Sequence, residues 1–139
     1  MARDKYHQVV KIALEKEGWT ITDDPLKLEL EEVRIQMDLG AERFIAAERE
    51  NEKIAVEIKT FTGYSGISSF HTALGQYLNY EDILAHNEPK RILYLAIPED
   101  SYLDFFQYRF VQRTITRFKL RIIVYNPITE VIVLWNSSN

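Results

Sequence analysis

The sequence predicts an α/β sandwich with a mixed β-sheet, with its elements in the order α-β-β-β-α-β-α-β-β. Three observations carry this prediction. Apolar residues recur with helical spacing in three segments, short β-branched runs lie between those segments, and residues 91–97 form a nearly continuous apolar run. Such a run is typical of a strand that is buried on both faces, which occurs where helices cover both sides of a sheet.

The composition is that of one globular domain, which we expect to span residues 1–139. With 46% hydrophobic and 27% charged residues, the chain is apolar enough to build a core without covalent staples. The absence of cysteine excludes disulfides, zinc–thiolate sites and thiol nucleophiles. The amino terminus lacks the apolar run of a signal peptide and no apolar stretch could span a bilayer, so we expect a cytoplasmic protein that does not contact membranes.

The first third of the chain predicts one helix and one short strand. Residues 4–17 carry an apolar helical stripe, with Asp4 in the N-cap position and Gly18 just after the end. Residues 19–22 favour a strand, which the following Asp-Asp-Pro would close. The segment from there through Gln36 is ambiguous between strand and loop.

A hairpin is predicted next along the chain. Residues 41–49 and 53–60 are predicted strands on either side of a polar turn at residues 50–52. Because side chains alternate along a strand, the second strand presents two different faces. One face carries Ile54, Val56 and Ile58, and the other carries Ala55, Glu57 and Lys59.

The second half of the chain alternates helices with strands. A Gly/Ser-rich loop at residues 62–69 leads into a helix over residues 68–86, which precedes the apolar strand. Another long helix is expected to begin at Asp100 or Ser101 and to run to Phe118. The last two strands are predicted at residues 120–125 and 131–135, with a proline-containing turn between them.

The net charge of the chain is mildly acidic at −4, which argues against a protein that coats nucleic acid by bulk electrostatics. Residues 107–121, however, contain five cations and no acid. Arg109, Arg113 and Arg117 are spaced by four residues, so they form one stripe on the predicted helix. This arginine stripe could track a DNA backbone, dock an acidic partner protein or form a solvated face.

The triplet Glu57-Ile58-Lys59 is the candidate for chemistry. Metal-assisted cleavage of a phosphodiester needs oxygen ligands for Mg²⁺ and benefits from a cation that holds the attacking water. On a strand, an acid and a lysine two residues apart point to the same side and can share one water. Asp38 would reach the same site if the segment that it ends pairs beside the hairpin.

An acid-x-Lys pattern is a weak signal by itself. Glu88-Pro89-Lys90 has the same pattern, but its proline disfavours a strand. Glu57 and Lys59 could equally form the solvated face of an edge strand. The helix that follows favours a site, because Gln76 and Tyr80 lie one helical turn apart and both can hydrogen-bond a phosphate or a water.

Asp38, Glu57-Ile58-Lys59 and Gln76-x-x-x-Tyr80 together resemble the PD-(D/E)xK nuclease superfamily, in the branch with a RecB-like QxxxY helix. Met37 precedes Asp38 where the name of the superfamily has a proline. Five longer segments resemble a closer family, the XisH family of fdxN element excision controlling factors of cyanobacteria. These segments are residues 18–26, 38–42, 54–59, 70–80 and 88–98.

The resemblance implies a restriction-endonuclease-like three-layer sandwich that acts in the programmed excision of a DNA element. A recombinase and an XisI-like companion factor are the implied partners, besides DNA. The resemblance also implies that Mg²⁺ or Mn²⁺ is held by Asp38, Glu57 and the Ile58 carbonyl, with Glu15 in the place of a first-helix glutamate. Lys59 would be the catalytic lysine.

Gln76 and Tyr80 would support that site, and two functions stay open for it. The first is a metal-dependent DNA endonuclease, which would act as a homodimer if it cuts both strands. The second is a catalytically silent regulator that keeps the nuclease fold and binds the recombinase, the companion factor or DNA.

Overall fold

A six-stranded mixed sheet forms the centre of the structure. The structure is a computed structural model that describes residues 6–45, 50–61 and 66–136, with only the backbone described for residues 42–45, 50 and 51. None of the described helices is both long and apolar enough to cross a membrane. The helices are α1 (His7–Lys16), α2 (Gly66–Asn87), α3 (Glu99–Leu103) and α4 (Arg109–Phe118), with a 3₁₀ turn at Phe105–Gln107. The strands are β1 (Thr20–Asp23), β2 (Leu26–Leu30), β3 (Val33–Met37), β4 (Leu39–Ile45), β5 (Glu50–Ile58), β6 (Arg91–Pro98), β7 (Ile122–Asn126) and β8 (Val131–Asn136).

The order of strands in the central sheet is β1-β4-β5-β6-β7-β8. The hairpin of β4 and β5 is antiparallel, as are the outer pairs β1–β4 and β7–β8. The central pairs β5–β6 and β6–β7 are parallel, because a helical crossover joins each of them. The predicted mixed α/β fold with helices around its sheet is therefore confirmed.

Alternation along the inner strands divides the apolar side chains into two cores. Leu95 of β6 and Ala55 of β5 pack in the core that α2 and α4 cover. Ala96 and Val56, their neighbours in sequence, pack in the opposite core, to which α1 contributes Leu14. Helices thus cover both sides of the sheet in three layers, and we call the side that faces α2 the α2 face.

The segment that the sequence left ambiguous forms a separate two-stranded sheet of β2 and β3. Leu26, Leu28 and Met37 are buried in the core under α2. The tight turn between the two strands places Glu31 in the left-handed region, with φ 54°. Glutamate is not a residue that favours this conformation, which is why the turn carries no recognisable hairpin signal.

The single helix predicted from residue 100 to Phe118 is wrong, because the chain forms three short helical pieces there. Asp104, which ends α3, leaves the helical region with φ −107° and ψ −88°. The 3₁₀ turn that follows buries Phe105 and Phe106 together, against Phe61 and other rings of the core under α2. In one straight α-helix, adjacent side chains point about 100° apart around the axis, so Phe105 and Phe106 would not both face the core. The break in the helix brings both rings into it.

The predicted turn at residues 50–52 is also wrong. β5 already begins at Glu50, which pairs with Ile45, and Asn51 pairs with Phe44. The connection between β4 and β5 falls on residues 46–49, which lie outside the described residues. The predicted N-cap Asp4 and the first part of the predicted loop at 62–69 also lie outside them. Polar residues at the start of β5 mimic a turn because this end of the strand extends beyond the apolar part of the hairpin.

Tyr77 fixes α2 against the sheet. Its buried hydroxyl donates to the Leu93 carbonyl oxygen at 3.2 Å and accepts from the Arg121 amide at 3.1 Å. Burial raises the pKa of Tyr77, so the phenol stays a neutral donor. One turn further along α2, Glu81 Oε2 lies 3.2 Å from Arg121 Nη1. These contacts set the position of α2 along β6 and the start of β7.

Glu88-Pro89-Lys90 has a structural role just before β6. Glu88 Oε1 accepts from Arg91 Nε at 3.1 Å, and Arg91 Nη1 donates to the Ile54 carbonyl oxygen at 2.8 Å. Arg91 is buried, so these bonds satisfy a charge that would otherwise be costly to desolvate. Residues 89 and 90 form a turn, which confirms that the proline disfavours a strand there.

Gly75→Ala is expected to raise the free energy of unfolding by about 0.5–1 kcal/mol, because glycine inside a helix is less stable than alanine. Gly75 lies within α2, and an added Cβ would meet no atom within 4 Å. Urea unfolding followed by circular dichroism would measure the gain. Gly66→Ala in the same helix is the matched control and should show no gain, since its Cβ would lie 3.2 Å from the Phe105 ring. Equal gains would contradict this packing.

Candidate functional site

Asp38 and Glu57 meet where the pairing of β4 and β5 ends. The register that pairs Leu39 with Val56 places Asp38 opposite Glu57. The Asp38 amide donates to Glu57 Oε1 at 2.9 Å, and the Ile58 amide donates to Asp38 Oδ2 at 2.7 Å. Each carboxylate thus accepts from a backbone amide of the other segment, and this reciprocal pair fixes both groups in place.

Strand phase decides which way the Glu57 side chain points. Glu57 alternates with Val56 and Ile58, which lie in the core under α1, so its carboxylate faces α2. Lys59 follows the end of β5, where its amide donates to the Ala96 carbonyl oxygen at 3.0 Å. This bond prolongs the parallel pairing with β6 and keeps Lys59 in phase with Glu57. Lys59 Nζ lies 4.0 Å from Glu57 Oε2.

Glu57 is 8% exposed, and this burial dominates its electrostatics. Burial and, next, the charge of Asp38 raise the pKa of Glu57 to about 7. The hydrogen bond from the Asp38 amide and the charge of Lys59 act in the opposite direction. Glu57 is therefore a carboxyl group that changes its charge near neutral pH.

Tyr80 and Gln76 extend the site along α2. Burial raises the pKa of Tyr80, and the negative charges of Glu57 and Asp38 raise it further, while a hydrogen bond with the Gln76 side chain opposes them. Tyr80 is therefore within reach of the charges of both carboxylates. Gln76 Oε1 is buried and has no hydrogen-bond partner among the described residues, so it is an acceptor that lacks a donor.

An open cleft of about 520 Å³ contains the carboxylate pair. One wall is the end of β5 with Asp38, and the other is the beginning of α2. The residues that line the cleft are Asp38, Glu57, Ile58, Lys59, Thr60, Phe61, Ser68, Ser69, Thr72 and Ala73. Lys59 is the one cation among them. Thr72 of α2 was not singled out in the sequence, although its helical spacing from Gln76 is a signal that could have found it.

Two groups of predicted site residues lie elsewhere in the structure. Glu15 is exposed on α1, which packs on the sheet face opposite the Glu57 carboxylate. Arg109, Arg113 and Arg117 are exposed on α4, with the Arg117 guanidinium 5.5 Å from the centre of the Phe118 ring. Among the described residues, no three His, Asp or Glu side chains are grouped as they would be around a metal ion.

The fold and the cleft define a class of three-layer α/β proteins that hold two carboxylates and a lysine at the end of a β-hairpin. A family model described as XisH protein matches residues 1–133 of the chain. The chain therefore belongs to the XisH family.

Two solved structures are similar to this chain. An XisH family protein from Nostoc punctiforme PCC 73102 is 47% identical with a TM-score of 0.86, and the match covers 95% of this chain and 98% of that one. An fdxN element excision controlling factor protein from Anabaena variabilis is 46% identical with a TM-score of 0.86, over 96% of this chain and 98% of that one. No curated protein matches the chain.

Glu57→Gln is expected to stabilise the metal-free protein at high pH. A carboxyl group whose pKa rises from 4.5 to about 7 on folding contributes stability below pH 4.5 and loses it as the pH rises through 7. The full loss is on the order of 3 kcal/mol. Glutamine keeps the shape without the charge, so the variant should exceed the wild type by about 2 kcal/mol at alkaline pH and by little in acid. Urea unfolding of both proteins across pH would measure this, and a gain independent of pH would contradict it.

Proposed function

We propose that this protein acts in the excision of a DNA element as a Mg²⁺-dependent endonuclease. The observation that carries the proposal is the reciprocal pairing of Asp38 with β5, which presents two carboxylates and Lys59 to one open cleft. The Anabaena variabilis relative is described as an fdxN element excision controlling factor, which supports the biological setting. A recombinase and an XisI-like companion factor would be its protein partners.

The donor atoms of the cleft fit Mg²⁺ or Mn²⁺. Mg²⁺ in proteins takes one or two carboxylates and completes its shell with water and substrate phosphate. Asp38 and Glu57 would supply the carboxylates, and the Ile58 carbonyl would be a third oxygen. Two protein carboxylates suffice for such a cation, although no cluster of three is found among the described residues.

Each residue of the candidate site would have a separate role in hydrolysis. Mg²⁺ would supply the positive charge that stabilises the developing negative charge on the phosphate oxygens. The Lys59 ammonium, beside Glu57 on the same wall, would hold the attacking water by its oxygen. Tyr80 would orient the phosphate or that water through its hydroxyl, whose raised pKa keeps the proton on it, and Gln76 would fix the Tyr80 ring.

The arginine stripe would supply the long-range attraction to DNA that the cleft cannot. Among the described residues, the cleft has two carboxylates and one lysine, a balance that does not attract a polyanion. Arg109, Arg113 and Arg117 are exposed on α4, on the side of the sheet to which Glu57 points. Their spacing of about 6 Å along the helix places three guanidinium groups in a row, which suits successive contacts with a DNA backbone.

Lys59→Ala is expected to lower the rate of Mg²⁺- or Mn²⁺-dependent DNA nicking at least about a hundredfold, because the attacking water loses its positioning group. Cleavage of supercoiled plasmid by the protein, alone and with its companion factor, would measure the rate. Lys90→Ala is the matched control, since Lys90 is the exposed lysine of the other acid-x-Lys triplet. Circular dichroism would confirm that both variants fold.

A different outcome would identify the catalytically silent regulator. In that case no metal-dependent cleavage would be found, and a cell that carries Lys59→Ala would still excise the element. Excision that requires Lys59, together with cleavage in vitro, would exclude the regulator.

Arg113→Glu is expected to weaken DNA binding and to reduce its dependence on salt, since each lost phosphate contact lowers the slope of log affinity against log salt by about 0.9. Fluorescence anisotropy with labelled duplex DNA at several salt concentrations would measure both quantities. Lys16→Glu makes the same change of charge on α1, on the opposite side of the sheet, and should have little effect. Unchanged DNA binding with a loss of affinity for the companion factor would assign the stripe to a protein interface.

A further inference from the structure

A line of polar side chains runs along α2, on the wall of the cleft that faces the carboxylates. Ser69 and Thr72 line the cleft, and Gln76 and Tyr80 continue the same face at intervals of four residues. Ser69 and Tyr80, the first and last of these residues, are eleven positions apart, which corresponds to about 16 Å along the helix. The polar line therefore begins in the wall of the cleft and continues along α2 to Tyr80, on which the charges of Glu57 and Asp38 act.

The hydroxyl groups in this line are free to bind a ligand. Ser69 is partly exposed and Thr72 is exposed, as is Ser68, which also lines the cleft. None of the three hydroxyls takes part in a hydrogen bond among the described residues. A hydroxyl group both donates and accepts, so these residues can bind anionic oxygens without adding charge.

Neutral donors suit this position better than cations would. An arginine or lysine on α2 would pair with Asp38 or Glu57 and would compete with a metal ion for the same oxygens. Ser, Thr and backbone amides are, besides the basic residues, frequent partners of phosphate oxygens in nucleic-acid complexes. The first turn of α2 contains no acidic residue, so the positive end of the helix dipole also favours an anion there.

We propose that Ser69 and Thr72, with Ser68 beside them, bind the phosphodiester backbone of one nucleic-acid strand next to the phosphate at the carboxylates. This inference rests on the proposed function, because it takes the substrate to be a DNA strand that enters the cleft. It adds the second wall of the site: β5 acts on one phosphate, and α2 holds the strand through the neighbouring phosphate. The hydroxyls are positioning residues and take no part in the bond that breaks.

The double variant Ser69→Ala/Thr72→Val tests the proposal in the full-length protein. Binding of fluorescein-labelled DNA oligonucleotides, single-stranded and duplex, is measured by anisotropy with Ca²⁺ in place of Mg²⁺, a choice intended to allow binding without cleavage. Hydrogen bonds to a charged group contribute enough that the loss of two should lower affinity about tenfold or more. The slope of log affinity against log salt should stay as in the wild type, because neutral donors release no counterions.

His71→Ala is the matched control, since His71 is an exposed polar residue of the same turn that does not line the cleft. It should bind DNA as the wild type does. Calorimetric titration with Mn²⁺ should give the same metal affinity for the wild type and the double variant, because neither changed residue is a ligand. A loss of Mn²⁺ affinity would mean that the double variant disturbs the carboxylates, and it would overturn the proposal.

Three other results would also overturn it: wild-type affinity in the double variant, an equal loss in His71→Ala, or a reduced salt slope. The outcome is separate from that of the cleavage assay. If DNA binding depends on the two hydroxyls but DNA is never cut, the endonuclease proposal fails and the strand-binding proposal stands. If DNA is cut and the double variant binds and cuts like the wild type, only the strand-binding proposal fails.

Discussion

The reciprocal hydrogen bonds between Asp38 and β5 are the interaction on which the site depends. At the end of an ordinary antiparallel pair the backbone groups turn to solvent, whereas here two carboxylates accept the last amides of the hairpin. The same two bonds continue the pairing of the strands and hold the acidic groups side by side. The same hydrogen bonds therefore hold the end of the hairpin and position the carboxylates. A change that frees either carboxylate also loosens the end of the sheet.

This arrangement brings two negative charges together where little water can reach them, and packing elsewhere in the fold has to keep the two carboxylates together. Glu57 and Asp38 repel each other, and burial makes the repulsion stronger than it would be in water. The rings of Phe61, Phe105 and Phe106 pack directly behind the cleft. Buried Ser101 accepts from the Phe61 amide and so ties the segment after β5 to α3. A rigid apolar support on one side thus maintains an electrostatically unfavourable site on the other.

Local sequence patterns were sufficient for the elements whose burial is visible in the order of their polar and apolar residues. The alternation in β5 gave the direction of Glu57, and the doubly buried run of β6 gave the layers. The patterns failed where tertiary contacts decide the structure. The break between α3 and α4 depends on a cluster of rings that is distant in sequence, and the turn of β2 and β3 uses a glutamate with positive φ. The direction in which Glu15 points follows from the placement of α1 on the sheet, which helical periodicity does not contain.

Tyr77 has a consequence for motion in the cleft. Its hydroxyl joins α2 to β6 and to the segment before β7, only one residue away from Gln76 and five from Thr72. The wall that carries the polar line therefore belongs to the same cooperative unit as the centre of the sheet. Movement of this wall away from the sheet would require a bond within the core to break. The wall of α2 thus acts as a fixed template for an incoming molecule.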